Sequence, residues 1–269
     1  SVPKTALDIY SQVEVFRRWT GNLDLIVNMN NDVLRVLLPV ERPLVLPYLT
    51  KFDNVVEKGL TAMNWKSNQI NEFISDSMEQ VKVVHEVCKT MKDNLNHIEE
   101  TLESYNKPLL VRKPKPVVKD EFEREHKAVI KERYAEVKDG GKAIHHMVKE
   151  TNKVLRASNA SPDWRAYVDF VNNVVVDGLA KIVYTSLDFL FEQIDSDSIS
   201  KNETLPMIEV KLDLVSVRSE GGRVEEVQFI PALETASGKG IRDLVNSWIG
   251  SFFNVSTQFK RLDNEGNYL

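Results

Sequence analysis

Hydrophobic residues recur at helical spacing over most of the chain, because glycines and prolines are few and occur in clusters. The pattern predicts a first helix over residues 6–38, with a kink at Gly21 and Asn22. Three prolines (Pro39, Pro43 and Pro47) then interrupt the pattern, and a short helix is expected over residues 47–58. The first third of the chain is therefore expected to be helical.

The clearest helix follows, and its apolar residues alternate at steps of three and four. Such a heptad seam packs helix against helix, with charged residues on the outer face. We favour packing within the chain, and a coiled coil between two chains is the alternative. This first seam consists of Val81, Val84, Cys88, Met91, Leu95, Ile98, Leu102 and Tyr105.

Pro108 ends this helix, and residues 111–119 form a basic, proline-rich linker that two prolines keep extended. A charged helix is expected over residues 120–138, with a break at Gly140–Gly141 and a further helix over 142–157. Ser161 and Pro162 have the chemistry of a helix start. The helix that follows, to about Ile194, is apolar on most sides, which predicts that it is buried among other helices.

The hydrophobic period changes after this helix. Strict alternation from Ile208 to Leu214 predicts a half-buried strand, residues 219–222 a turn, and residues 224–230 a returning strand. Helical spacing then resumes. This second seam consists of Ile241, Val245, Trp248, Phe252, Val255, Phe259 and Leu262.

Together these elements predict a mainly α fold of successive long-helix bundles with one small β-hairpin. Residues 1–110 form the first bundle, residues 111–119 the linker, and residues 120–269 the second bundle with the hairpin near 207–231. Three tryptophans (Trp65, Trp164 and Trp248) and Phe252 are expected to lie in the core.

Composition excludes several classes of function. The 269 residues are 42% hydrophobic and 28% charged, and the net charge of −5 leaves no basic stripe for nucleic acid. No signal peptide and no apolar run long enough to span a membrane are found. One cysteine excludes an internal disulfide, which favours a reducing compartment. Because the chain starts mid-pattern without methionine, we expect a piece of a longer protein.

No group of residues predicts catalysis, a cofactor or a metal. His145 and His146 point to different sides of a helix, and His85 and His97 have no acid or thiolate at ligand spacing. Cys88 lies on the first seam, where a small buried hydrophobe is expected rather than a nucleophile. The segment 236–240, ASGKG, lacks the first glycine and the final Ser or Thr of a phosphate loop. The chain is therefore expected not to be an enzyme.

Several stretches, in order, resemble the N-terminal tail of dynein heavy chains. They are LLPVERPLV (37–45), GLTAMNWKSNQINEFI (59–74), MKDNLNHIEETLESYNKPLLVRK (91–113), SPDWRAYVDFVNNVVVDGLAKIVYTSLDFLFEQID (161–195), LPMIEVKLDLV (205–215), and FIPALE (229–234) followed by a helix ending in FKRL (259–262). The order and spacing of these stretches most resemble those of the axonemal heavy chains of cilia and flagella. The linker segment 113–124 and the hairpin segment 216–228 depart from the family pattern.

This resemblance implies a non-catalytic tail scaffold that lies before the ATPase modules of the motor. Its expected partners are intermediate chains, light chains and other heavy chains, with indirect attachment to the doublet microtubule. The implied location is the cytoplasm and cytoskeleton, in the axoneme of a cilium or flagellum. A self-associating coiled-coil adaptor unrelated to motors is the alternative that the first seam leaves open.

Overall fold

The computed structural model describes residues 4–110, 115–194, 208–230 and 241–259. Within these ranges the chain forms six helices and two two-stranded sheets, which confirms the mainly α prediction. The elements are α1 (Lys4–Val36), α2 (Arg42–Ala62), α3 (Ile70–Ser104), β1 (Val117–Val118), α4 (Lys119–Leu155), α5 (Pro162–Ile194), β2 (Ile208–Glu209), β3 (Lys211–Ser219), β4 (Gly222–Ile230) and α6 (Ile241–Asn254), followed by a 3₁₀ turn (Val255–Gln258).

The predicted break at Gly140–Gly141 was wrong, because α4 continues through both glycines. Each glycine costs a helix only about 1 kcal/mol relative to alanine. Both are also sites of close packing. A Cβ at Gly140 would overlap the Tyr105 hydroxyl, and one at Gly141 would lie 3.1 Å from Cδ2 of Phe259. Tertiary contacts that need a bare backbone therefore outweigh the local preference. The kink expected at Gly21 does not interrupt α1 either.

The helix predicted to start at residue 47 begins at Arg42 instead, and Pro47 lies inside it. Pro43 occupies the first turn, where a missing N–H costs nothing. Pro47 follows one turn later, inside the helix, and cannot donate to the Pro43 carbonyl. The helix thus begins one turn earlier than the prolines suggest.

The chain folds as two compact units, and α3, α4 and α5 each contribute residues to both. The described residues of unit 1 fall within Ser1–His97 and His146–Val171, and those of unit 2 within Ile98–His145 and Asn172–Leu262.

In unit 1 the core is formed by α1, α2, α3, the end of α4 and the start of α5. Polar contacts tie these helices together: the Tyr48 hydroxyl donates to the carbonyls of Val154 and Leu155 at 3.1 Å, and Asn94 Nδ2 donates to Thr151 Oγ1 at 2.9 Å. The buried apolar side chains include Ile26, Val33, Val45, Phe52, Val81, Val84, Met91, Trp164 and Tyr167.

In unit 2 the core is formed by the end of α3, the first part of α4, the rest of α5, and α6. The Tyr134 hydroxyl of α4 donates to the Ser251 carbonyl of α6 at 2.9 Å, and Ser186 Oγ of α5 accepts from the Leu109 amide at 3.2 Å. The buried side chains include Ile98, Leu102, Leu109, Val137, Ile144, Leu179, Ile182, Leu244, Trp248, Phe252 and Val255.

Helices α3 and α5 approach closely at Gly178, where a Cβ would lie 2.9 Å from Cβ of Leu102. We expect Gly178→Ala to destabilise unit 2 by roughly 1–2 kcal/mol, because overpacking at this contact exceeds the gain in helix propensity. Urea denaturation followed by circular dichroism measures the difference. Gly21→Ala is the control, since nothing lies within 4 Å of its Cβ position. If Gly178→Ala raised the free energy of unfolding as much as Gly21→Ala does, the two helices would have to separate easily at this contact.

Candidate interaction surfaces

The first seam is covered by this chain itself. Its residues from Val81 to Leu102 are all buried within the single chain, those up to Leu95 in unit 1 and the last two in unit 2. In unit 1, Asn94 beside the seam donates to the Met147 carbonyl of α4 at 3.3 Å, and in unit 2 Leu102 contacts Gly178 of α5. A coiled coil between two chains would need this stripe exposed.

The second seam contributes three fully or nearly fully buried residues, Trp248, Phe252 and Val255. Ile241, Val245 and Phe259 are half-buried. The position expected for Leu262 lies outside the described residues. Leu244, which the seam pattern did not include, is also buried. The inward face of α6 is therefore turned slightly from the one predicted.

Trp65 differs from the other two predicted core tryptophans. Trp164 and Trp248 are each 4% exposed, whereas Trp65 is 53% exposed, so the expectation that Trp65 is buried was wrong. It lies in the turn between α2 and α3 and packs against α1, at centroid distances of 5.0 Å from Phe16 and 6.5 Å from Trp19. A tryptophan in a turn has neighbours on one side only, and sequence cannot distinguish that setting from a core position.

The β-hairpin presents an exposed apolar patch. Strands β3 and β4 are antiparallel, with Leu212 opposite Phe229 and Leu214 opposite Val227, so these four side chains share one face. Their exposed fractions are 64%, 47%, 63% and 65%, respectively. We call these four residues the hairpin patch. The predicted turn and returning strand are present, with Gly222 at φ +126° beside the turn.

The prediction of a half-buried strand was wrong, because the hairpin lies largely exposed on both strands. Alternation of apolar and polar residues shows which side chains share a face of a strand, but not whether the same chain covers that face. An isolated two-stranded hairpin is marginally stable in water. Two residues of the predicted linker also form a strand. Val117 and Val118 (β1) pair in parallel with Ile208 and Glu209 (β2), respectively.

A second apolar surface lies within unit 2, as a groove of about 490 Å³ between α5 and the end of α6 with its 3₁₀ turn. We call it the α5–α6 groove. Exposed apolar side chains border it, with Val176 41%, Tyr184 66% and Phe253 54% exposed. The lining residues on α5 are Asn172, Val175, Val176, Leu179, Ala180, Val183, Tyr184 and Leu187, and those beyond it are Phe253, Ser256 and Phe259.

The structure also reveals a histidine that the sequence did not single out. His126 of α4 packs beside the Phe122 and Trp248 rings, with centroids 6.2 and 6.1 Å away, and its Nε2 is 3.3 Å from Ser251 Oγ. Its Nδ1 is buried without a hydrogen-bond partner among the described residues. Burial lowers the pKa of His126 from 6.5 to about 4, because the charged ring would lose hydration. At neutral pH the ring therefore packs as an uncharged side chain.

This histidine predicts an acid sensitivity of unit 2. Since the folded pKa of about 4 lies below the ordinary 6.5, the unfolded chain binds the extra proton between these values. The stabilising contribution is full above pH 6.5 and is lost as pH falls to 4. Because solvent screens part of the effect around the half-buried ring, we expect the free energy of unfolding to fall by about 1–2 kcal/mol over this pH range. Urea denaturation from pH 7 to pH 4.5 should show a smaller decline in His126→Gln, and equal declines would contradict the assignment.

Unit 1 contains a buried carboxylate at the start of α2. The Glu41 side chain is fully buried, and its Oε2 accepts from the Leu38 amide at 2.7 Å. Lys92 Nζ of α3 lies 4.0 Å from the same oxygen, so Glu41 connects the turn before α2 to α3. Oε1 has no hydrogen-bond partner among the described residues. The sequence offered no signal for this role, because Glu41 stands among prolines.

Cys88 lies near this carboxylate and is 3% exposed. Burial first, and the negative charge of Glu41 second, raise the pKa of its thiol to about 12. The same two causes raise the pKa of the buried Tyr167 hydroxyl. The thiolate is the reactive form of cysteine, so Cys88 is inert at neutral pH.

The described residues contain no group of three or more metal-ligating side chains. Of the four histidines that the sequence analysis considered, His146 and His97 are exposed and His85 is half-buried. His145 is buried, and its ring centroid lies 5.6 Å from that of Phe259. In the same ranges, none of the helices combines the length and apolar character needed to cross a membrane.

Known proteins match the chain along its whole length. The family model "Dynein heavy chain, N-terminal region 1" matches residues 1–73. The flagellar outer-arm dynein beta chain of Chlamydomonas reinhardtii is 34% identical over 100% of this chain. The ciliary dynein beta chain of Heliocidaris crassispina is 29% identical, and human dynein axonemal heavy chain 17 is 27% identical, each over 97% of this chain.

The chain spans about 6% of the length of each of these relatives. These matches agree with the resemblance that the sequence motifs suggested. The chain belongs to the N-terminal region of dynein heavy chains of the axonemal and ciliary type.

Proposed function

We propose that this chain is a non-catalytic tail segment of an axonemal dynein heavy chain. It works as a scaffold for heavy-chain association and for docking of intermediate and light chains. The observation that carries the proposal is the match to dynein heavy chains over the whole 269 residues. In this proposal the ATP-hydrolysing chemistry belongs to other parts of the heavy chain, and the protein acts in the axoneme of cilia or flagella.

The hairpin patch supports a docking role. Four cross-strand apolar side chains remain exposed on a hairpin that has little cover from its own chain. Contiguous exposed apolar surface in a soluble protein commonly marks a protein–protein interface. The open edges of a two-stranded sheet also offer unpaired backbone groups to a partner strand. The hairpin is therefore the surface that we assign first to a dynein subunit.

The burial of the first seam weighs against the alternative of a self-associating coiled-coil adaptor. Residues Val81 to Leu102 are already covered within one chain, so pairing between chains through them would require the fold to open. Light scattering separates the two proposals, since the scaffold can be monomeric and the adaptor must be at least dimeric.

The experiment is a pull-down with the purified 269-residue chain against axonemal intermediate chains, light chains and a second heavy-chain tail. Stoichiometric retention of at least one of them is expected. Leu214→Glu, which places a charge in the hairpin patch, should reduce that retention at least about tenfold. Ala128→Glu is the matched control, because it adds the same charge to an exposed position of α4. If a folded chain retains none of these subunits, the docking role is wrong.

A further inference from the structure

The α5–α6 groove has the dimensions of a helix-binding site. It follows α5 from Asn172 to Leu187, which at 1.5 Å per residue is a length of about 22 Å, or four helical turns. Its floor is apolar, and the small side chain of Ala180 keeps its centre open. An amphipathic helix lays apolar residues at i, i+3, i+4 and i+7 into grooves of this kind.

The rim of the groove is acidic. Asp177 and Asp188 are exposed, and they lie about three turns apart on the side of α5 that also carries Tyr184. The nearby cation, Lys181, is already bound to Glu103, with 2.6 Å between Nζ and Oε2. Neither aspartate forms an ion pair with a described residue. The rim therefore favours a partner with basic residues beside its apolar stripe.

We propose that the α5–α6 groove docks an amphipathic, basic helix from another dynein subunit. This inference rests on the scaffold function proposed above, and it names the partner class for a surface separate from the hairpin patch. The apolar stripe of the partner fills the space beside Ala180 and between Tyr184 and Phe253. Its lysine or arginine side chains meet Asp177 and Asp188.

The first test uses a labelled peptide of about 15 residues, with leucine at helical spacing and lysine elsewhere, titrated with the full 269-residue chain in fluorescence anisotropy. A second peptide carries glutamate in place of lysine. The lysine peptide is expected to bind at least about tenfold more tightly, because glutamate would face the acidic rim. Equal binding of the two peptides would overturn the charge complementarity and with it the proposal.

Variants decide whether binding occurs in the groove. Tyr184→Glu should weaken binding of the lysine peptide at least tenfold, because it places a charge in the apolar groove. General electrostatic attraction alone would have the opposite effect, since the added charge is negative and the peptide is positive. Ala128→Glu adds the same charge to an exposed position of α4 and should leave the affinity unchanged or slightly higher. Asp177→Asn combined with Asp188→Asn should weaken binding about three- to tenfold. Unchanged affinity in Tyr184→Glu would exclude the groove.

The subunit pull-down separates this inference from the proposed function. If Tyr184→Glu loses a subunit that Ala128→Glu retains, the groove is a docking site. If peptide binding is insensitive to Tyr184→Glu and every subunit is still retained by that variant, the groove proposal fails while the scaffold function stands. Retention of none by the wild-type chain would instead contradict the scaffold function.

Discussion

Replacing Trp164 with alanine is expected to lower the free energy of unfolding by roughly 3–5 kcal/mol, the usual cost of removing a large buried aromatic side chain. Trp164 is 4% exposed in the first turn of α5, and its ring stacks on Tyr167 at a centroid distance of 5.5 Å. Protein interiors are close-packed, so the side chains around Trp164 can fill the vacated space only in part. Urea denaturation followed by circular dichroism measures the loss.

Trp65→Ala is the control for this prediction, because it removes the same side chain from a position that is 53% exposed. Its expected cost is about 1 kcal/mol or less, chiefly from lost contacts with Phe16 and Trp19. A larger loss for Trp65→Ala than for Trp164→Ala would mean that the turn between α2 and α3, rather than the start of α5, is the centre of unit 1.

Phe252→Ala is expected to have a similar effect in unit 2, again roughly 3–5 kcal/mol. The Phe252 side chain is fully buried on the inward face of α6, one turn after Trp248. Its removal leaves a cavity beside the contact between α4 and α6, where Tyr134 donates to the Ser251 carbonyl. The same urea titration measures this loss in the transition that unfolds α6.

The adjacent residue provides the matched control. Phe253 follows Phe252 directly, lines the α5–α6 groove and is 54% exposed. Phe253→Ala should therefore cost about 1 kcal/mol or less and leave the helix in place. If the two variants were equally stable, α6 would not be docked through the face that the structure buries.

The helices were predictable because the spacing of apolar residues along the sequence reveals them. Alternating steps of three and four placed Val81, Met91 and Leu102 on one face of α3, and that face is buried. The start of α5 at Pro162 and the hairpin turn beside Gly222 follow from local chemistry in the same way. The dynein heavy-chain family was indicated by resemblance, through stretches that match its tail in the same order along the chain.

Tertiary structure decided the features that depend on residues far apart in sequence. Glycine at 140 does not break α4, because the Tyr105 hydroxyl occupies the place of its missing Cβ. His126 and Glu41 acquired their environments from α6 and α3, which no local pattern encodes. The hairpin alternates as a half-buried strand would, yet it remains exposed.

The sequence by itself thus determined the class of fold, the faces of the helices and the family. The tertiary structure alone decided which apolar faces this chain covers and which it leaves open, namely the hairpin patch and the α5–α6 groove. The physical reason is that helix and strand periodicity arises from backbone geometry within a few residues. Burial, in contrast, depends on which distant segments come into contact.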